Sequence, residues 1–198
     1  MKIVPVLLGA CLLLAACSDG RPAGPTVTVT APAGKPTSPD PIPASPTADP
    51  ATLSWMDGFC GAIHGYRERT NREAGPAKPD PGSVAEAQQQ LSAQLGEIAA
   101  RLGEVVGKLT ALPPAPVPLA ETVRAGFVKK FATAHDRATS AKETLDRAKP
   151  GDQASQTPAA EAIEQAQKDV DGTYDPVAPM TESPELMAAA AVAPGCKG

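Results

Sequence analysis

Hydrophobic positions recur along the second half of this chain with the period of a helix. Leu91, Leu95, Ile98, Leu102, Val105, Leu109 and Leu112 follow one another at alternating spacings of four and three, which is a heptad seam. Ser83 stands before it as an N-cap, with Glu86 three residues on in the arrangement of a capping box. Pro113-Pro114-Ala115-Pro116-Val117-Pro118 ends the run, and so short a connection makes the next helix an antiparallel neighbour. That helix is expected from about Leu119 to Ala148, with Val123, Phe127, Phe131, Ala134, Ala138, Ala141 and Leu145 as its seam.

Upstream, the same periodicity predicts a helix from near Leu53, capped by Ser54, to about Glu73, where Gly75-Pro76 stops it. Trp55, Phe59, Ile63 and Tyr66, flanked by Met56 and Ala62, line its core face. Gly58, Gly61 and Gly65 fall on the opposite side, where either a close backbone contact or tolerance on a solvated face accounts for them. Downstream, Ala159, Ile163, Ala166 and Val170 mark a shorter fourth helix that ends at Gly172. Ser183-Pro184-Glu185 then places an N-cap, a proline at the first helical position and an acid in the first turn of a short C-terminal helix.

Composition narrows the class. Aromatic residues make up 3% of the chain, and abundant alanine favours helices over sheets. The expected fold is all-α, an elongated antiparallel four-helix bundle plus a short C-terminal helix, filling residues 52–198. The formal net charge of -4 and a pI near 5.2 provide no global positive field for a nucleic-acid backbone. Size and the missing strand patterns exclude solute capture by two α/β lobes.

The N-terminal stretch carries the signal for location. Lys2, the apolar run Ile3 to Leu14 and the small pair Ala15-Ala16 lead to Cys17. This resembles the bacterial lipobox, in which the cysteine takes a diacylglycerol and becomes the first mature residue. Residues 1–16 are read as the signal peptide and Cys17 as the lipidation site. A membrane span needs about 20 apolar residues, and Ser18-Asp19-Gly20-Arg21 ends this run too early. Leu8-Gly9-Ala10-Cys11 is a poorer match because cleavage there leaves too short an apolar region. From 17 to 51 the chain is rich in Pro, Thr, Ser and Ala and lacks large apolar side chains, so it reads as a disordered tether. Its threonines and serines suit O-glycosylation, and an unmodified spacer fits equally.

Once the signal and the lipid have taken Cys11 and Cys17, Cys60 and Cys196 remain of the four cysteines. In an oxidising compartment they are expected to form a disulfide. The alternatives are two free buried thiols or a metal pair, and no second ligand pair stands at zinc-like spacing beside either.

Together the lipobox, the Thr/Pro-rich tether, the Trp-x3-Phe-Cys opening (Trp55 to Cys60) and the Pro-Glu-Leu to Ala-Pro-x-Cys ending (Pro184 to Cys196) resemble uncharacterised small secreted lipoproteins of actinobacteria. The likeness covers the whole layout and is specific at its two ends. It implies a helical bundle at the cell envelope and transfers no catalytic residue.

Candidate chemistry is sparse. Asp57, His64 and Glu68 share the polar face of the first helix and are weak candidates to seed a metal site; a solvated ion-pair stripe is the preferred reading, since no supporting partners are evident. His135 falls at the edge of the third helix's seam. Arg67, Arg69 and Arg72 suit anionic lipid or wall polymer, or, with Glu68 and Glu73 between them, a solvated helix end. No phosphate loop, paired-carboxylate motif, His-Glu-x-x-His or nucleophile elbow is present, so neither an enzyme nor a cofactor is expected. The function read from these features is a non-catalytic interaction module, held to the membrane through lipid on Cys17 and binding a partner protein or envelope polymer. The alternative is a carrier of an apolar ligand between the helices. A large apolar cavity would favour the carrier and a filled core the interaction module. Oligomeric state stays open.

Overall fold

The computed structural model describes residues 48–73, 75 and 80–198. The expected signal peptide, Cys17 and the tether up to residue 47 lie outside these residues. The bundle begins earlier than expected: helix α1 spans Pro50–Glu73, so Pro50 and Ala51, assigned above to the tether, are helical. Asp49, not Ser54, caps it, its carboxylate accepting from the amides of Ala51 at 3.0 Å and Thr52 at 3.1 Å. A proline at the first helical position lacks the amide that would go unpaired there anyway. Ser54 is one turn inside the helix, where its hydroxyl cannot cap.

Helices α2 (Val84–Thr110) and α3 (Pro118–Arg147) form the long antiparallel pair, about 40 and 45 Å in length at 1.5 Å per residue. Ser83 accepts from Glu86 N at 3.2 Å, while the Glu86 carboxylate reaches one residue further back than a standard capping box, to Gly82 N at 2.7 Å. Helix α4 (Gln156–Asp169) runs back along α3, and α5 (Pro184–Val192) packs on the first half of α1. Single 3-10 turns at Gln153–Ser155, Ala178–Met180 and Pro194–Cys196 shape the connections. Among the described residues there is no strand, and no helix is long and apolar enough to cross a membrane.

The core has two parts. The larger collects Trp55, Phe59 and Ile63 of α1 with Leu102, Val105 and Leu109 of α2, Phe127 and Phe131 of α3, and Leu186 of α5. Trp55 stacks on Phe59 at 5.0 Å and 8°, and Phe59 meets Phe127 at 5.2 Å. Trp55 is completely buried, and among the described residues its indole nitrogen has no hydrogen-bond partner. Leaving such a donor unpaired costs about 1–3 kcal/mol, which the area buried by a tryptophan offsets. The smaller part, Leu95, Ala138, Leu145, Ala159 and Ile163, closes the other end between α2, α3 and α4.

One polar group holds that far end. Gln88 is buried in α2; its amide donates to Leu145 O at 3.0 Å and its carbonyl accepts from Gly151 N at 2.9 Å. It thereby ties the end of α3 to the turn at Gly151, whose φ of 81° suits only glycine without strain. Replacing Gln88 with Leu keeps the volume and leaves both partners unmatched, so we expect a loss of about 1–3 kcal/mol and a melting temperature lower by several degrees. Gln89→Leu, on the exposed face, serves as the control and should change neither.

Candidate functional site

The first constellation is the cysteine pair. Cys60 and Cys196 are joined by a disulfide with their Cα atoms 4.8 Å apart, closing 136 residues of sequence separation. Around it the turn at Pro194–Cys196 lies directly on the backbone of α1. Gly195 N donates to Asp57 Oδ1 at 2.6 Å, and Gly198 N donates to His64 Nδ1 at 3.2 Å. A Cβ added to Gly195 would sit 2.3 Å from Asp57 O and 3.0 Å from Gly61 N. The face carrying Gly58 and Gly61 is therefore a contact surface, with Gly58 facing Leu112 and Gly61 the tail.

This alters the reading of Asp57, His64 and Glu68. Asp57 and His64 accept from backbone amides of the tail, so a wholly solvated ion-pair stripe does not describe them, while Glu68 is exposed. The three stand on one helix as expected, but the helix spacing carried no sign that a segment more than 130 residues away would take their acceptors. Among the described residues no group of three or more His, Cys, Asp or Glu side chains is placed to hold a metal. His135 stands at the seam edge, its Nδ1 3.0 Å from Asp136.

Reduction of the disulfide should lower the melting temperature and open the tail to protease, with up to about 5 kcal/mol at stake in the chain-entropy account. Gly195→Ala should destabilise in the same direction. Gly65→Ala, where nothing lies within 4 Å, should stabilise by up to about 1 kcal/mol.

The second constellation is a groove of about 910 Å³, open to solvent, at the far end of α1. Its position follows from helix directions. Helix α1 runs antiparallel to α2 and ends beside its middle, where Glu73 pairs with Arg101 and Arg69 with both Glu73 and Glu104. Helix α4 comes from the opposite end of α2, with Gln156 bonded to Val84 O at 2.9 Å. Between the last turns of α1 and helix α4, a face of α2 carrying Gln90, Gln94, Glu97 and Arg101 is left uncovered. The segment after α4 turns at Gly172, with φ of 78°, and closes the end of the groove by the bond from Arg67 to Tyr174 O at 3.2 Å.

Both tyrosines of the chain line this groove. Tyr66 is half-buried, with its ring edge-on to Phe131 at 5.3 Å, and Tyr174 is 44% exposed. Burial raises the phenol pKa of each above its ordinary value; nearby Tyr174 adds to the shift at Tyr66, and Asp171 to that at Tyr174. On the charged rim the carboxylates of Glu73 and Glu104 are held below their usual range, first by hydrogen bonds from Arg101 and Lys108 respectively. Sequence spacing placed Tyr66 on the core face of α1 and did not single out Tyr174, Gln90 or Gln94. The uncovered α2 face does show as a second polar row, 90-94-97-101, beside the seam. Ala134 and Ala138 of the α3 seam are fully buried in the core.

A tyrosine titration reads the groove directly. Because folding raises both pKa values, the folded state gains stability below the ordinary phenol pKa near 10 and loses it as pH rises through the shifted values. Absorbance at 295 nm should therefore show both tyrosines ionising above pH 10, with alkaline unfolding following; a normal titration of both would place them in solvent. The lowered carboxylates act oppositely, their contribution being lost as pH falls below their usual range.

Comparison with family models, with curated proteins and with solved structures finds no match to this chain.

Proposed function

We propose that this protein is a non-catalytic interaction module, anchored to the outer face of the cell membrane by lipid on Cys17, that docks a partner protein or envelope polymer in the groove between α1, α2 and α4. The observation that carries the proposal is the open groove of about 910 Å³ beside a contiguous buried core. A carrier for an apolar ligand needs an enclosed apolar cavity between its helices; here alanine and aromatic side chains pack in one buried cluster, and the groove of about 910 Å³ faces solvent. The lipobox ending at Cys17 and the Pro-rich sequence between it and α1 support an anchored module with reach away from the membrane.

A photo-crosslinking residue at position 94 of the full chain, activated in the native envelope, should give a discrete adduct. The same residue at position 143, on an exposed part of α3, should not. Equal adducts from both positions, or none from position 94, would sink the docking role. The anchor is tested separately: Cys17→Ser should release the chain from membranes or leave the precursor uncut, and normal retention and maturation of that variant would remove the lipid from the proposal.

A further inference from the structure

We infer that the groove's ligand is a neutral glycan strand, an inference that rests on the docking role proposed above. The argument turns on which groups in the groove remain unengaged. Its charged side chains are of mixed sign and partly engaged: Arg101 pairs with Glu73, Arg67 donates to Tyr174 O, Glu97 has a partner of its own, and Asp171 adds a further carboxylate. Asn71, Gln90, Gln94 and Gln167 line the groove too, and their side-chain amides make no hydrogen bond to the described protein. A polyanion would meet Glu73, Glu97 and Asp171 and a polycation Arg67 and Arg101 in the same groove, whereas an uncharged polar ligand would use the amides that are free.

Each of those amides presents both donors and an acceptor. That dual character matches sugar hydroxyls, which donate and accept from the same oxygen. Gln90 and Gln94 are one turn apart, a rise of about 6 Å along α2, on the scale of a single sugar unit. The two tyrosines supply the complementary surface, since an aromatic ring combines an apolar face with a polar tip and the C–H face of a pyranose stacks on it. An amphipathic helix needs a row of apolar pockets at its own spacing; of the groove's apolar lining Leu102 and Ala166 are buried, and Ala87, Leu91 and Ile98 are half-buried and interleaved with Gln90, Gln94 and Glu97. A groove of about 910 Å³ exceeds what one sugar unit fills, which suits a strand rather than a monosaccharide.

The test titrates the full chain, with its disulfide formed and held in a zwitterionic detergent, with maltose, maltoheptaose and N-acetylchitohexaose. Two readouts belong to the groove: the tyrosine difference absorbance, since both tyrosines line it, and the side-chain NH2 resonances of Gln90 and Gln94. We expect saturable changes in both with at least one of the long oligosaccharides. Affinity should rise with chain length and stay unchanged between about 0.05 and 0.5 M salt. Gln94→Ala and Tyr174→Ala, both at surface positions, should weaken binding tenfold or more at an unaltered melting temperature. Maltose binding as tightly as maltoheptaose would overturn the strand in favour of a free sugar. Binding that fades with salt would overturn neutrality, and absence of any saturable change up to about 10 mM ligand, an affinity weaker than about 3 kcal/mol, would overturn the glycan. A protein adduct at position 94 combined with no oligosaccharide binding would discard the glycan and leave the docking role standing; no adduct at position 94 combined with no oligosaccharide binding would discard both.

Discussion

The stack of Trp55 on Phe59 is the contact on which the rest of this bundle depends. The chain has six aromatic residues, and five of them, Trp55, Phe59, Tyr66, Phe127 and Phe131, are linked in two ring contacts to α3 and one within α1. With so few large side chains available elsewhere, α1 supplies the bulk that lets the alanine-rich faces of α3 and α5 close on something. Truncating a buried aromatic costs about 3–5 kcal/mol, a large part of a domain's net stability of about 5–15 kcal/mol. Helix α1 carries three glycines in its middle turns, Gly58, Gly61 and Gly65, so its intrinsic helicity is poor, and packing holds it.

Those glycines and the stack act together. Small residues on one side of α1 allow the C-terminal turn to approach until Gly195 rests against Asp57 and Gly61, and the disulfide fixes that approach. The first half of α1 is consequently enclosed by α2, α3, α5 and the tail. Its last turns are not, because α4 stops short of them, and the groove is the space left over. Rigid packing at one end of the helix thus positions Tyr66, Arg67 and Asn71 at the other, which is how a structural staple and the groove come to share one element.

Local signals read well from sequence and long-range ones did so only in part. The α2 and α3 seams, the caps at Ser83 and Ser183 and the Cys60–Cys196 pair all follow from spacing or from cysteine count, since each is a periodic or a compositional rule. Ser54 failed as a cap because Asp49 offers a carboxylate just ahead of Pro50, and the Pro-rich composition upstream drew the helix boundary too late. Asp57 and His64 were read by what shares their helix face, whereas their partners come from the tail. The groove was hidden for a related reason: an uncovered face is defined by where neighbouring helices end, and Tyr174, which closes it, sits in a connection with no periodicity. Gln88 likewise looks like one glutamine in a run of three until Leu145 and Gly151 are brought to it.

The account makes burial of the Trp55 side of α1 the condition for everything else, and tryptophan fluorescence measures it most directly, because Trp55 is the single tryptophan of the chain. In the oxidised full chain its emission should be that of an indole in an apolar site, resistant to iodide, and should shift red in one step together with loss of helical circular dichroism on denaturation. Solvent-like emission quenched by iodide while the helices remain intact would contradict it.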